Sequence, residues 1–342
     1  MRPLRFPAFR GNWSTPWVAG RYAVEFLRNA TPRKIANASL AMAEMKLARA
    51  RTRSLPYVLR LEAASICTLQ CPRCSTGLGI DPRPKGVLSL ADLDHVIDQV
   101  RDHVVFVRFD GDGEPLLNPN ITESIRRLKR AGMGVALSTH GNTEPEGGWQ
   151  EFVDAGVDRV MVAIDGADQE TYERYRYGGS LEVALDSLRQ LTEAKARTSG
   201  PGPVIDLQFL DWGYNKPQIP AMRRIADEYG VDRLTVINPD LAAEHGEVDP
   251  LYPKRCFWLW AVLTVDWELR YHTCTNAWTY MYPHMTMRDV DVRTMWNSRE
   301  MVEARRFNKD KSSDAVAGEC DTLCNKCTDM LVVPRPPGYV CE

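Results

Sequence analysis

The chain has 342 residues, with 43 Lys and Arg against 45 Asp and Glu and 44% hydrophobic residues, an ordinary globular composition for one large domain or two. A formal net charge of −2 gives no reason to expect general nucleic-acid binding, and no apolar run approaches the roughly 20 residues of a membrane span. The N-terminal stretch MRPLRFPAFRGNW is charged but lacks the apolar region and cleavage site of a signal peptide, so a cytoplasmic location is expected and the nine cysteines point to metal or catalytic thiols rather than disulfides.

Residues 1–56 hold eleven Lys and Arg against Glu25 and Glu44, a local balance of +9. Ala38 to Arg53 is rich in good helix formers. The segment is expected to be a basic helical N-terminal extension. A solvated basic face is preferred over a docking surface for an acidic partner or a phosphorylated substrate.

From 57 to 240, strand-like and helix-like stretches alternate. The β-branched and aromatic content predicts strands at Tyr57–Glu62, Val104–Phe109, Val135–Leu137, Val160–Ile164, Ile205–Leu210 and Leu234–Ile237. Helical faces are marked by Leu93, Val96, Ile97 and Val100, by Ile121, Ile125 and Leu128, and by Leu181, Ala184, Leu188 and Leu191. Ser89 with Asp92 fits a capping box. Six β–α repeats predict a parallel sheet with right-handed crossovers. In 241–342, Phe257–Val265 and Leu269–Thr273 flank a turn at 266–268 and predict a hairpin, with a helix at Val292–Phe307.

No cysteine falls between residues 75 and 255. The early group is Cys67-x3-Cys71-x2-Cys74. Three thiolates on one loop can hold three irons of a cubane cluster and leave the fourth open for a small-molecule ligand, whereas ferredoxins supply four cysteines to each cluster. A structural zinc site is the alternative, but it wants a fourth ligand, and the nearest histidine, His95, lies in a helical stretch.

With this triad on the loop after a first strand, the sequence resembles radical S-adenosylmethionine (SAM) enzymes. Asp110-Gly111-Asp112-Gly113-Glu114-Pro115 resembles their GGEP segment. Ser138-Thr139-His140-Gly141-Asn142 resembles their third-strand segment, and Val162–Gly166 with Tyr172 and Arg176 their fourth-strand segment. The resemblance covers residues 57 to about 240. It departs from the pattern at Arg73, where an aromatic residue is common, at Asp112 for Gly, and at Ala163 for Ser. It implies a six-stranded (β/α)6 partial TIM barrel. Within it, a [4Fe–4S] cluster on Cys67, Cys71 and Cys74 binds SAM, and Gly113, Glu114, Pro115, Ser138 and Arg176 contact the cofactor. Glu114 can instead be a turn residue, and Arg176 can instead pair with Glu173 on its own helix.

The later cysteines resemble the twitch or SPASM extension of the same enzymes. This implies a small α+β domain over 241–342 with one auxiliary [4Fe–4S] cluster, its ligands Cys256, Cys274, Cys324 and Cys327. Zinc again remains open there. Cys320 and Cys341 are left over, either as replacements for one of those ligands, as inert thiols, or as catalytic hydrogen donors to a substrate radical. The resemblance implies that reduced cluster and SAM yield a 5′-deoxyadenosyl radical, which abstracts hydrogen from a secondary alcohol carbon of a sugar or aminocyclitol. The outcome would be a ketone or an inverted centre, and an external one-electron reductant such as flavodoxin or ferredoxin would drive the reaction. Modification of a ribosomally made peptide is the alternative reaction. A metal-stabilised binding protein without activity is the remaining one.

Overall fold

The computed structural model describes residues 9–10, 26–111, 113–200, 202–237, 256–272 and 285–309. Its centre is one sheet of nine strands: β1 (Phe9–Arg10), β2 (Val58–Leu61), β3 (Phe106–Phe109), β4 (Gly134–Thr139), β5 (Arg159–Ala163), β6 (Val204–Leu210), β7 (Arg233–Ile237), β8 (Val262–Val265) and β9 (Tyr271–His272). The spatial order is β1-β7-β6-β5-β4-β3-β2-β8-β9. All neighbours are parallel except the final β8–β9 pair.

All six predicted strands occur, consecutive and parallel, with ends displaced by one or two residues. The six-stranded barrel of the resemblance is corrected to a larger sheet, because β1 joins β7 and β8 joins β2. The hairpin is present, but its first half differs from expectation. Phe257 leads into a short helix, and only Val262–Val265 is strand. β8 therefore continues the sheet of residues 57–240 across the expected boundary at 240.

Ten helices are described: α1 (Pro32–Lys46), α2 (Leu90–Val100), α3 (Ile121–Arg130), α4 (Gly148–Asp154), α5 (Gln169–Glu173), α6 (Leu181–Arg197), α7 (Ile219–Glu228), α8 (Trp258–Ala261), α9 (Val292–Trp296) and α10 (Arg299–Lys309). None of the described helices is long and apolar enough to cross a membrane. Ser89 caps α2 by accepting the Asp92 N–H at 3.1 Å, while its hydroxyl donates to the Asp92 carboxylate at 2.8 Å. The marked faces of α2, α3 and α6 are buried against the sheet. Each such aliphatic side chain contributes about 1.5–3 kcal/mol relative to leaving it in water.

In the N-terminal extension, α1 starts earlier than expected because Thr31 caps it and Pro32 fits its first turn. It is docked rather than solvated all round. Ala38 and Ala41 pack on Tyr57, Ala261 and Val262, and Met45 packs on Leu259, Trp260 and Ala304. One of its basic residues, Lys34, is buried and donates to the Gly132 carbonyl at 2.7 Å.

Candidate functional site

The chain leaves β2 at Leu61 and returns to α2 through a loop whose two ends are held together. Leu88 N–H donates to Ala63 O and Ser65 N–H to Gly86 O, each at 2.9 Å. A buried ion network fastens the same neck. Arg83 grips both Glu62 oxygens at 2.8 and 3.0 Å and reaches Asp81 at 2.8 Å. Burial opposes charge on Asp81, but the Arg83 hydrogen bonds and charge outweigh it and hold the carboxyl below its ordinary value of 3.8. Trp267, in the β8–β9 turn, lies over Gly86 and donates its indole N–H to Pro84 O at 3.2 Å. The loop is thereby tied to the hairpin that follows Cys256.

Cys67, Cys71 and Cys74 lie on this loop. Cys74 N–H donates to Cys71 O at 3.1 Å and Leu78 N–H to Cys74 O at 2.8 Å. The turn tolerates only glycine at 77, where a Cβ would stand 2.7 Å from Cys71 N. Each sulfur has a donor. Leu69 N–H is 3.4 Å from Cys67 Sγ, Gly77 N–H is 3.5 Å from Cys74 Sγ, and the Arg176 guanidinium is 4.0 Å from Cys71 Sγ. Burial pushes the Cys67 thiol up to about 11, against the Leu69 N–H. Burial also raises Cys71, opposed by Arg176.

Among the described residues no three His, Cys, Asp or Glu side chains converge where one metal ion could sit.

The glycine-rich segment docks beside the loop. A Cβ at Gly113 would collide with the Ala64 carbonyl oxygen, and Glu114 N–H donates to Ile66 O at 2.8 Å. Pro115 begins a single 3₁₀ turn, Pro115–Leu117. The buried Glu114 carboxylate caps that turn through Leu116 N–H at 3.1 Å and accepts His140 N–H at 2.9 Å. His140 follows β4. Its Nδ1 accepts Asn142 N–H at 2.9 Å, which leaves the proton on Nε2, 3.2 Å from Glu114. Burial lowers the affinity of His140 for a second proton more than Glu114 raises it. Ser138 stands half-buried on β4, with Met161 as its register partner on β5.

Arg176 pairs with Asp165 at 2.6 Å rather than with Glu173, whose carboxylate accepts from Gln169. Asp165 is fully buried just after β5, accepts Leu210 N–H at 2.6 Å, and turns Arg176 towards Cys71. Burial penalises the Arg176 charge, yet Asp165 and the nearby thiol raise its proton affinity overall. Beside it, Tyr175 and Trp212 stack with centroids 4.5 Å apart, and the Arg73 guanidinium lies 4.7 Å over Trp212. Trp212 lies two residues beyond β6 and so brings an aromatic ring beside position 73.

Gly113, Glu114, Arg176 and the three cysteines are brought to one end of the sheet, with Ser138 on the neighbouring strand. Cys256 lies before α8, where its N–H donates to Asn308 at 3.0 Å. Cys274, Cys320, Cys324, Cys327 and Cys341 fall outside the described residues. His140, Asp165 and Trp212 escaped the sequence reading as individual roles. The first two lay inside quoted motif segments, but only the fold shows that they brace Glu114 and Arg176.

Residues 61–205 match the radical SAM superfamily. An AdoMet-dependent heme synthase of Methanosarcina barkeri is 31% identical over 140 residues, 41% of this chain and 40% of that protein. The mycofactocin maturase MftC of Mycobacterium ulcerans is 28% identical over 186 residues, 54% of this chain and 48% of that protein. The chain spans about half the length of these curated relatives. In fold, it resembles SuiB of Streptococcus suis bound to precursor peptide SuiA, with TM-score 0.60 and 12% identity over 78% of this chain and 70% of that one. The residues present fit a [4Fe–4S] cluster, since three thiols on one loop each face a hydrogen-bond donor.

Proposed function

We propose that the protein is a radical SAM enzyme. The observation that carries this reading is the triad Cys67, Cys71 and Cys74, each sulfur facing a donor, within the segment that matches the superfamily. When bound, a [4Fe–4S] cluster with SAM on its open iron supplies a radical able to take a hydrogen atom from an unactivated C–H bond. The chain's own part is to hold and shield. Leu69 N–H, Gly77 N–H and Arg176 stabilise negative charge on the sulfurs. Asp165 fixes Arg176, and Glu114 with neutral His140 keeps the glycine-rich segment in place.

The substrate order of the sequence reading is reversed. The expected sugar or aminocyclitol oxidation has no support from the curated relatives named above, whereas the PqqA peptide cyclase of Granulibacter bethesdensis, 26% identical over 185 residues, acts on a peptide by its printed name. Peptide modification is therefore the preferred reading. The proposed auxiliary [4Fe–4S] cluster on Cys256, Cys274, Cys324 and Cys327 would carry electrons to or from the substrate. Cys320 and Cys341 remain proposed hydrogen donors, and a flavodoxin or ferredoxin the proposed reductant.

Anaerobic reconstitution followed by SAM and dithionite should release 5′-deoxyadenosine, and Cys71→Ala should abolish it. Zinc in place of iron would overturn the radical reading. About eight irons per chain would support two cubane clusters, and about four would remove the auxiliary one. Faster 5′-deoxyadenosine release with a peptide library than with a panel of sugars and aminocyclitols supports the peptide reading; the opposite ranking overturns it.

A further inference from the structure

The chain that follows α1 is pinned by its backbone and free in its side chains. Residues 49–54 run past α8, α9 and α10. Arg49 O accepts the Trp260 indole N–H at 3.0 Å, and Ala50 O accepts from Arg305 at 3.2 Å. The Asn297 side chain takes Thr52 N–H at 2.9 Å and donates to Thr52 O at 3.1 Å. Glu44 accepts Arg53 N–H at 2.8 Å and Ser54 N–H at 3.1 Å, and Arg53 O accepts from Arg293 at 3.3 Å. Thr52 and Ser54 are buried, whereas Arg49, Arg51 and Arg53 are exposed. Three arginines at every second residue thus stand on a backbone that is already held.

Their charges are unspent. Among the described residues, Lys46, Arg49, Arg51 and Arg53 form no ion pair. The nearest acid in sequence, Glu44, is buried and uses its carboxylate on Arg53 N–H, Ser54 N–H and the Ser54 hydroxyl. Lys46 lies in the last turn of α1 and offsets the negative end of the helix dipole. That account does not extend to Arg51 and Arg53, which lie outside the helix. Beside the cations α1 turns an apolar strip to solvent. Leu47 is 65% exposed, and Leu40, two turns earlier on the same face, is 40% exposed. A solvated basic face needs neither the apolar strip nor the fixed backbone. A docking surface gains from both, since groups held in place before binding lose less freedom on binding.

We propose that this surface docks an acidic segment of the peptide substrate, with its carboxylates on Arg49, Arg51 and Arg53 and an apolar side chain on Leu47 and Leu40. Arginine presents a planar fork suited to carboxylate oxygens and keeps its charge at any physiological pH. The proposal rests on the peptide-modifying reading above and deepens it. Residues 49–54 precede β2 and the cysteines follow it, so the docked segment is separate from the residue that reacts. A peptide fits better than an extended anionic surface. The chain beyond residue 56 carries a net −11, which a bilayer or a duplex would also meet, whereas a peptide touches the strip alone.

The test is fluorescence anisotropy with the full-length reconstituted protein. The probe is a labelled helical peptide of about fourteen residues, with leucines on one face and glutamates beside them, and its glutamine counterpart. The wild type should bind the glutamate peptide about tenfold more tightly at low salt, the scale of two or three exposed ion pairs acting together. The preference should shrink at about 0.5 M salt. Arg49→Gln with Arg51→Gln should remove it, and Arg49→Lys with Arg51→Lys should keep part of it. Arg223→Gln with Arg224→Gln, exposed and unpaired on α7, changes the net charge equally and should leave it intact. Leu47→Ser should weaken both peptides, because it removes the apolar contact they share. Equal binding of the two peptides by the wild type overturns the proposal. So does a preference lost to the same degree in the α7 variant, or one that survives in an Arg49→Gln, Arg51→Gln protein that folds normally by circular dichroism. Tighter binding of phosphatidylserine vesicles or of a DNA duplex than of the glutamate peptide, lost in that same variant, overturns the peptide as occupant. Substrate-free SAM cleavage should be equal in all these proteins and reports on the radical reading separately, as the ranking of peptides against sugars does on the peptide reading.

Discussion

The two faces of the same strands have opposite characters. Towards the helices, Leu59, Val107, Phe109, Val135 and Val160 are fully buried among other apolar side chains. Towards the other face stand Arg60, Arg108, Ser138, Arg159, Asp206 and Gln208, with ion pairs such as Arg60–Asp110 and Arg233–Asp206, and of these Arg60, Arg159 and Asp206 are buried. One face is built for cohesion, since area removed from water is the main favourable contribution to folding. The other keeps charge within the sheet, at a cost in desolvation that each pair only partly offsets. The same alternation therefore separates stability from chemistry at single-residue spacing.

The largest test of this division is on the apolar face. Phe109→Ala should cost about 3–5 kcal/mol in urea unfolding, because the site cannot collapse onto the lost ring. Asp165→Ala comes next. It leaves the Arg176 guanidinium, 13% exposed, without its carboxylate, a loss of about 3 kcal/mol for a buried pair. A change at Asp165 no larger than that of a surface ion pair would show that the cysteine end tolerates disorder and would blur the comparison.

A smaller effect is expected from acid. Asp81 has its folded-state proton affinity depressed below the ordinary 3.8, by Arg83 against burial. Its contribution is fully present above 3.8 and is lost as the pH falls through the lower folded value. The stability difference between the wild type and Asp81→Asn should thus be constant from pH 5 to 7 and shrink below about 3.9. A difference that grows on acidification would assign the neck of the loop to some other contact.

Much of the apolar face was legible in the sequence. Leu93, Val96, Ile97 and Val100 announce α2 by their spacing, and Val160 and Val162 announce β5 by alternation. The cysteine triad was legible because three thiols at that spacing have few uses. The other face was not. Arg60, Arg108 and Arg159 are separated by tens of residues, and only the parallel register places them in one row. Arg176 had a nearer acid in sequence at Glu173, but Asp165, held after β5, meets it across the turn. The hairpin start was misread because Trp258–Ala261, apolar enough for a buried strand, packs as a helical turn against Met45 and Ala304.

The smallest expected effect on stability is the sharpest test of the contrast. Arg108 is partly exposed and shares Asp110 with Arg60, so Arg108→Gln removes one of two guanidinium partners and leaves the other in place at 2.8 Å. Partly exposed ion pairs contribute about 0–1 kcal/mol, and the change in urea midpoint should fall in that range. Phe109, the next residue on β3, faces the helices and should cost several times more. If Arg108→Gln proves as damaging as Phe109→Ala, the charged row is part of the core and the separation of the two faces fails. If it leaves stability nearly unchanged, adjacent residues on one strand contribute to cohesion very unequally, as the two faces require.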